Sequence, residues 1–341
     1  MAAHAMMLLR TTELDVLPQF PEFKPLALSD RDCVRRHTAS YPPFSDFNFT
    51  SLWSWNVDNR ALLCEFNGNL VVKTGDHITG NAFYSFLGNG RANETMADLI
   101  ELSKRERFKS TLKFIPEMVA EQLDPNCFSV SEVLGDADYI LSVDRLVTYQ
   151  GASLSSKRTE VRKFLKLHPE SRFELRDLNC ASTLEQLSDL FMRWKSRRTD
   201  PDACAADIEF DAFKRCLKDQ AQLGIIGGAV FVGDTIAAVS LMEIVDGKFA
   251  YIHFEKADTA DFPGISAFLN QEVAKFLAAK GIRYINIAED LAVAGLRMNK
   301  RSYSPCAYLR KYSVDFCPAT QTAKLELARP HEMNRLQLSL V

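Results

Sequence analysis

The chain has 341 residues, which is long enough for two compact domains. Its 47% hydrophobic and 25% charged content is typical of a globular protein. A net charge of −3 argues against broad, non-specific nucleic-acid binding, although it leaves room for a local basic groove. No apolar run reaches membrane-spanning length, so no transmembrane segment is expected.

The cysteines and histidines are scattered along the chain. None of the eight cysteines forms a CxxC pair, and disulfide scaffolds are usually short and dense in cysteine. We therefore expect free thiols and a reducing, cytoplasmic location. The six histidines show no metal-ligand spacing, so no metal site is predicted.

The first half of the chain begins with an irregular lead-in at residues 1–22 and then alternates helices and strands. Asn67-Gly68 separates two apolar runs and predicts a β-hairpin between them. The predicted elements are strands at 61–66, 69–74, 83–87 and 111–115 and helices at 28–36, 95–105 and 117–123.

The second half begins with a strand near Asp138 and a basic helix at 155–167. A strand at 172–176, helices at 183–197 and 207–223, a three-stranded meander at 227–254, a helix at 266–280 and a strand at 284–287 follow. This order is typical of an acetyltransferase-like domain. We predict an α/β fold (an α+β sandwich) of tandem duplicated acetyltransferase-like (GNAT-like) domains, at 23–135 and 136–316, with a tail at 317–341.

Charged residues follow two apolar strands in the second half. His253, Glu255 and Lys256 end one strand, and Glu289 and Asp290 follow another. Burying a charge is costly unless it is paired, so such a cluster is usually paired, functional or both. The pattern predicts a polar cleft at a sheet edge, with Glu255 and Glu289 facing each other across it.

These residue types suit acid–base chemistry. Histidine titrates near neutral pH, so His253 is a candidate base, with Glu255 orienting it or acting as the base itself. The alternative is a structural ion-pair network at the strand end. Glu289 and Asp290 are expected to position an acceptor amine or to pair with nearby cations.

A basic and hydroxyl-rich segment follows the acidic strand end. Its side chains suit binding of a phosphate or stabilisation of an oxyanion, and one hydroxyl is a candidate catalytic group. The candidate catalytic residue in this segment is Tyr303, and the candidate binding residues are Arg297, Lys300, Ser302 and Lys311.

Lys157, Arg158 and Arg162 lie on the basic helix at spacings that place several cations on one face. A phosphate-rich partner such as tRNA, acyl-CoA or a lipid headgroup would bind there, and the alternative is a solvated face. The loop before the predicted helix at 266–280 has one glycine, Gly264, and is a poor cradle for a pyrophosphate. No cysteine stands beside a histidine as a nucleophile.

Several motifs in a fixed order resemble one bacterial family, which is related to the C-terminal domain of phosphatidylglycerol lysyltransferase. The motifs run from about Phe23 to Phe316 and are FSDFNFTSLWSW, DADYILSVDRLVTYQG, SSKRTEVRKF, HFEKAD, AEDLAVAGLR, KRSYSP and LRKY. The resemblance implies tandem acetyltransferase-type folds, similar to Fem-type aminoacyltransferases. This chain has Ala292 where the family usually has glycine, and Thr159 where it usually has asparagine.

The resemblance implies transfer of an aminoacyl group from aminoacyl-tRNA, or of an acyl group, to an amine or hydroxyl of a small molecule or lipid headgroup. One alternative is acyl-CoA-dependent N-acetylation. Another is a catalytically silent module that binds a phosphorylated ligand. No cofactor is implied beyond the co-substrate, which is aminoacyl-tRNA or acyl-CoA, and the oligomeric state is not predicted.

Overall fold

The structure, a computed structural model, describes residues 16–75, 80–108, 110–197 and 203–318. Residues 1–15 of the predicted lead-in and 319–341 of the predicted tail lie outside the described residues. The strands are β1 Lys24–Pro25, β2 Leu62–Phe66, β3 Asn69–Gly75, β4 Ala82–Leu87, β5 Leu112–Pro116, β6 Phe128–Glu132, β7 Asp138–Ser142, β8 Arg172–Arg176, β9 Ile226–Val232, β10 Thr235–Ile244, β11 Phe249–Ala257, β12 Tyr284–Asn286, β13 Ala307–Leu309 and β14 Lys311–Phe316.

The helices follow the predicted order closely. The α-helices are α1 Arg31–Thr38, α2 Phe49–Trp55, α3 Ala92–Arg105, α4 Glu117–Ala120, α5 Val143–Thr148, α6 Ser155–Leu167, α7 Ala181–Ser196, α8 Ala203–Lys218, α9 Gln220–Leu223, α10 Ile265–Ala279 and α11 Ala294–Ser302. The predicted hairpin is confirmed, because Asn67 (φ 54°) and Gly68 (φ 79°) join β2 to β3 in the left-handed conformation of a two-residue turn.

A seven-stranded sheet in the order β13-β7-β12-β11-β10-β9-β8 organises the second half. One face packs against a core shared with α5, α6 and α10, and the other packs against α2, α7 and α8. A four-stranded sheet, β1-β2-β3-β4, lies in the first half. The seven-stranded sheet starts at Asp138, next to the predicted domain boundary at residue 136.

The last strand returns to the first half of the chain. β14 pairs with both β5 and β6 and completes a three-stranded sheet in the order β5-β14-β6. The sequence prediction missed β6, because four of its five residues are exposed and carry little apolar signal. Lys311, the first residue of β14, is consequently held where the two halves of the chain meet.

The parallel pair β11 and β12 separates at its carboxyl end. Pairing stops at Tyr251 and Asn286, although β11 continues to Ala257. Beyond Asn286 the chain follows β7 instead, because Ile287 N donates to Tyr139 O (3.1 Å) and Tyr139 N donates to Ala288 O (3.2 Å). The separation leaves an opening between β11 and the segment that carries Glu289.

A β-bulge in β11 decides which side chains reach this opening. Leu241 pairs with Phe254 and Met242 with Ile252, so His253 is the extra residue between them. Without the bulge, His253 and Glu255 would point to the same face of the sheet. With it, they point to opposite faces.

Candidate functional site

Glu255 faces α10 inside the opening. Asn270 Nδ2 donates to Glu255 Oε2 (2.9 Å) and lies 3.3 Å from the hydroxyl of Tyr303. Lys157 Nζ lies 4.5 Å from the centroid of the Tyr303 ring. The three neighbours come from α6, α10 and the end of α11, so helices packed on one sheet face build the site.

Burial raises the pKa of Glu255 to about 7, although Asn270 and the charges of Lys256, Lys157 and Lys300 oppose the shift. The residue as a whole is largely but not completely buried. A carboxylate with a pKa near the working pH is well suited to accept a proton during a reaction. Glu255 therefore has the environment of a general base.

Lys300 lies between the two acidic strand ends. Its ammonium donates to the carbonyls of Ile287 (2.5 Å) and Glu289 (2.5 Å). Burial lowers the pKa of Lys300, and its positive charge in turn acts on both Glu255 and Glu289. That Glu255 and Glu289 face each other across one cleft stays a prediction. Both carboxylates interact electrostatically with Lys300.

Lys311 is the centre of a second polar cluster. Its fully buried ammonium contacts Asp138 Oδ1 (2.7 Å), Glu289 Oε2 (3.5 Å) and the carboxylate of Asp46. The hydroxyl of Ser45 joins the same group, donating to Asp138 Oδ1 (2.7 Å) and lying 3.1 Å from Glu289 Oε2. This cluster, which we call the Lys311 cluster, ties the first half, β7, β14 and the Glu289 segment together.

The charges of the Lys311 cluster compensate one another unevenly. Burial would lower the pKa of Lys311, but its three carboxylates raise it well above its usual value. Burial would likewise raise the pKa of Glu289, but Lys311 and Lys300 hold it below its usual value. At Asp46 burial dominates and raises the pKa to about 7.

His253 lies on the face of the sheet opposite to Glu255. Its Nε2 is 3.1 Å from Glu243 Oε2, and its Nδ1 is 3.4 Å from the hydroxyl of Ser51. The carboxylate that orients His253 is therefore Glu243 rather than Glu255, as the bulge requires. Its side chain is 3% exposed, which favours the structural reading of this residue.

Three other candidate binding residues form internal pairs. Lys256 faces α7 and α8, where its ammonium contacts Glu209 Oε1 (2.5 Å) and lies 4.0 Å from the Trp194 ring. Asp290 accepts two hydrogen bonds from the Arg297 guanidinium (2.9 and 3.0 Å). The charges of these three side chains are therefore used in ion pairs that stabilise the segments around the cleft.

The cations of α6 point in different directions. Lys157 is buried beside Tyr303, and Arg158 donates to the carbonyls of Tyr149 and Gly151. Arg162 is exposed to solvent. The Ser302 hydroxyl donates to the Asn299 carbonyl within α11 (2.6 Å).

The turn after Asp290 adopts a conformation that usually favours glycine. Ala292 has φ 59°, at the position where the resembling family usually has glycine. The carbonyl of Gly135 accepts hydrogen bonds from the backbone of Asp290 (3.2 Å) and Leu291 (3.0 Å). A Cβ atom on Gly135 would lie 2.4 Å from Ala292 N, so this close approach requires glycine.

We expect Gly135→Ala to lower the free energy of unfolding by about 2 kcal/mol or more, because it combines a positive φ with a backbone clash. Gly233→Ala is the matched control, since Gly233 also has a positive φ (60°) but no atom within 4 Å of the added Cβ. Its expected cost is about 1 kcal/mol. Urea unfolding of both variants checks this, and equal losses would show that the contact with Ala292 contributes nothing.

Sequence reasoning missed several polar residues of the site. Asp138 and Asn286 lie on buried strands and Asn270 lies on an apolar helix, so each carried the signal of a polar residue in an apolar run. Ser45 and Asp46 carried no such signal, because they lie in a single 3₁₀ turn, Ser45–Phe47, whose contacts depend on long-range packing.

Among the described residues, no group of His, Cys, Asp and Glu side chains has an arrangement that could hold a metal ion. In the same part of the chain, no helix is both long and apolar enough to cross a membrane.

The helix-covered sheet, with a cleft between β11 and β12, has an acyltransferase-like fold of the predicted class, tandem GNAT-like domains. Residues 38–315 match the family described as phosphatidylglycerol lysyltransferase, C-terminal. The chain belongs to this family, which confirms the resemblance found in the sequence. No curated protein matches the chain.

Three solved structures share the fold. A conserved protein of unknown function from Bacteroides thetaiotaomicron VPI-5482 is 27% identical with a TM-score of 0.76, and the match covers 86% of this chain and 99% of that one. A C-terminal domain assigned to a lysylphosphatidylglycerol synthetase of Agrobacterium fabrum is 14% identical (TM-score 0.54; 89% and 96% covered). L-PGS from Bacillus licheniformis is 12% identical (TM-score 0.55; 89% and 94% covered).

Proposed function

We propose that this protein transfers an aminoacyl group from aminoacyl-tRNA to an amine or hydroxyl acceptor, with Glu255 as the general base. The single observation that carries the proposal is the position of Glu255, largely buried where β11 and β12 separate, with Asn270 donating to its carboxylate and burial raising its pKa to about 7. The family and the fold support the class of reaction.

The proposed reaction needs no enzyme nucleophile. The acceptor attacks the ester carbonyl carbon while Glu255 takes its proton, and a tetrahedral oxyanion forms. The oxyanion then collapses, the bond to the tRNA ribose oxygen breaks, and Glu255 returns the proton to that oxygen, which restores the carboxylate. An ammonium has three N–H donors, and the two carbonyl bonds of Lys300 leave one for the oxyanion.

The surroundings of Gly264 argue against acyl-CoA as the donor. This residue precedes α10, where a phosphate cradle would be needed. A Cβ atom on Gly264 would lie 2.5 Å from the carbonyl oxygen of Glu160 on α6. The glycine at this position thus serves close packing between two helices.

The exposed cations of α6 are the proposed contacts to tRNA. Arg162, Lys163 and Lys166 face solvent, whereas Lys157 and Arg158 are bound internally. We expect the triple substitution of the exposed residues by Ala to weaken tRNA binding about tenfold or more near 0.1 M salt and to flatten its salt dependence, because each lost phosphate contact reduces counterion release. Filter binding at two salt concentrations measures both effects.

The control is a triple Ala variant of exposed cations elsewhere, at Arg60, Lys214 and Lys218, which should bind tRNA like the wild type. The direct test of function is single-turnover transfer from a labelled charged tRNA to candidate amines and hydroxyl-bearing acceptors. Saturable acetyl-CoA turnover without tRNA binding would overturn the aminoacyl proposal in favour of N-acetylation. Binding of a phosphorylated ligand without turnover of either donor would favour the silent module.

A further inference from the structure

A second cavity lies on the sheet face that points away from α10. Its volume is about 460 Å³, within the usual range for small-molecule sites. Phe249 and Tyr284 are register partners on β11 and β12, and their rings pack 5.1 Å apart along one wall. Tyr41 and Pro43 line the cavity from the first half of the chain, and the exposed Cys306 lies at its rim.

The lining has a single formal charge. Among the described residues that line it, Asp246 is the only carboxylate, and none is a Lys or Arg. Asp246 Oδ1 accepts hydrogen bonds from the backbone N–H groups of Lys248 (2.6 Å) and Phe249 (2.8 Å), which fixes the carboxylate at the end of the β10–β11 turn. Three aromatic rings and one negative charge thus surround the same space.

The cavity is separate from the Glu255 site. Asn286 Nδ2 donates to the carbonyl of Pro43 (2.8 Å), and the Tyr251 hydroxyl donates to the same carbonyl. These bonds close the wall between the cavity and the interior, and Glu255 lies on the other face of the sheet. A ligand here would therefore occupy a site distinct from that of the proposed transfer reaction.

We propose that this cavity binds a small organic cation, an ammonium group carried on an apolar body. The negative faces of aromatic rings attract ammonium groups, and the apolar walls favour a hydrocarbon body over a fully hydrated ion. An anion would meet the carboxylate and the aromatic rings, and no described residue of the lining carries a positive charge to compensate for its lost hydration. The cavity should therefore bind an organic cation in preference to an anion of the same size.

The test uses benzyltrimethylammonium as the probe and benzenesulfonate, an anion of similar size, as the comparison, both measured by calorimetry on the full chain. We expect saturable binding of the cation below about 10 mM, the range for a ligand of this size, and no binding of the anion. Asp246→Asn should weaken binding about three- to tenfold, since the carboxylate is solvent-exposed. The Asn side-chain oxygen retains the two backbone hydrogen bonds, so the turn is preserved.

Asp234→Asn is the matched control, because Asp234 is an exposed carboxylate in the β9–β10 turn, at the other end of β10, and is not among the residues that line the cavity. A second readout locates the probe: it should slow the alkylation of Cys306 by iodoacetamide, measured by peptide mass spectrometry. Cys180 is the internal control, because hydrogen bonds from Ser182 and Thr183 lower the pKa of its thiol to about 7 and it lies outside the cavity. Absence of saturable binding, equal binding of benzenesulfonate, unchanged affinity of Asp246→Asn, or an unprotected Cys306 would each overturn the proposal.

Discussion

Replacing Glu255 with Gln should reduce the transfer rate by about 10²- to 10⁴-fold, the usual contribution of a general base. Gln keeps the size of the side chain and can still accept a hydrogen bond from Asn270, but it cannot take up a proton. Because the ionised carboxylate is the active form, kcat/KM of the wild type should rise with pH and level off above about 7. The variant should lose this step in its pH profile, which single-turnover assays at several pH values would measure.

Two further variants separate chemistry from packing. Glu272→Gln, on the same helix as Asn270, removes a carboxylate that pairs with Lys275 and should leave the rate nearly unchanged. His253→Gln should lower stability, because it disturbs the contact with the buried Glu243, but it should retain the pH step near 7. A pH step that persists in Glu255→Gln and disappears in His253→Gln would return the role of base to His253.

The bulge explains why local pattern reading linked His253 to Glu255. Alternation along β11 places residues 251, 253 and 255 on one face, and the sequence gives no sign that one residue is inserted there. The polar segment that follows β12 could be predicted from the sequence, because Glu289 and Asp290 interrupt an apolar run. The sequence could not show that these two carboxylates have different environments. Asp290 pairs with Arg297 from α11, whereas Glu289 contacts Lys311 from β14.

In the basic helix α6, too, the sequence predicted the element but not the surroundings of its side chains. Periodicity places Lys157 and Arg158 on α6, and the helix is present at the predicted residues 155–167. Its packing against α10 turns Lys157 inward toward Tyr303, which no charge count reveals. Element type thus follows from local sequence, whereas the assignment of each cation to surface or site follows from tertiary packing.

The return of β14 is the least local feature of the fold. Its pairing with β5 and β6 joins residues about two hundred positions apart, beyond the reach of any periodic pattern. Yet this strand carries Lys311 into the centre of three carboxylates. The geometry of the Glu289 segment therefore depends on docking of the last strand against the first half.

Replacing Lys311 with Met should lower the free energy of unfolding by about 3–5 kcal/mol, because it leaves buried carboxylates without their cation. Met fills a similar volume, so the loss reports charge rather than a cavity. Without Lys311, the folded-state pKa of Glu289 should rise, because Lys311 is the first of the two cations that hold it down, and the already raised pKa of Asp46 should rise further. The variant then binds more protons folded than unfolded, so its deficit should shrink as pH falls from about 7.5 to about 5.5.

Arg310→Met is the matched control at the adjacent position. Arg310 is half-exposed and pairs with Glu117 and Glu132 at the surface, so its loss should cost less than about 1 kcal/mol at either pH. Adding Asp138→Asn to Lys311→Met should recover part of the stability, because it removes the most deeply buried negative charge of the cluster. Urea unfolding at both pH values measures all of these effects. A Lys311→Met deficit that equals that of Arg310→Met, or that grows on acidification, would show that the Lys311 cluster does not hold the two halves together by charge.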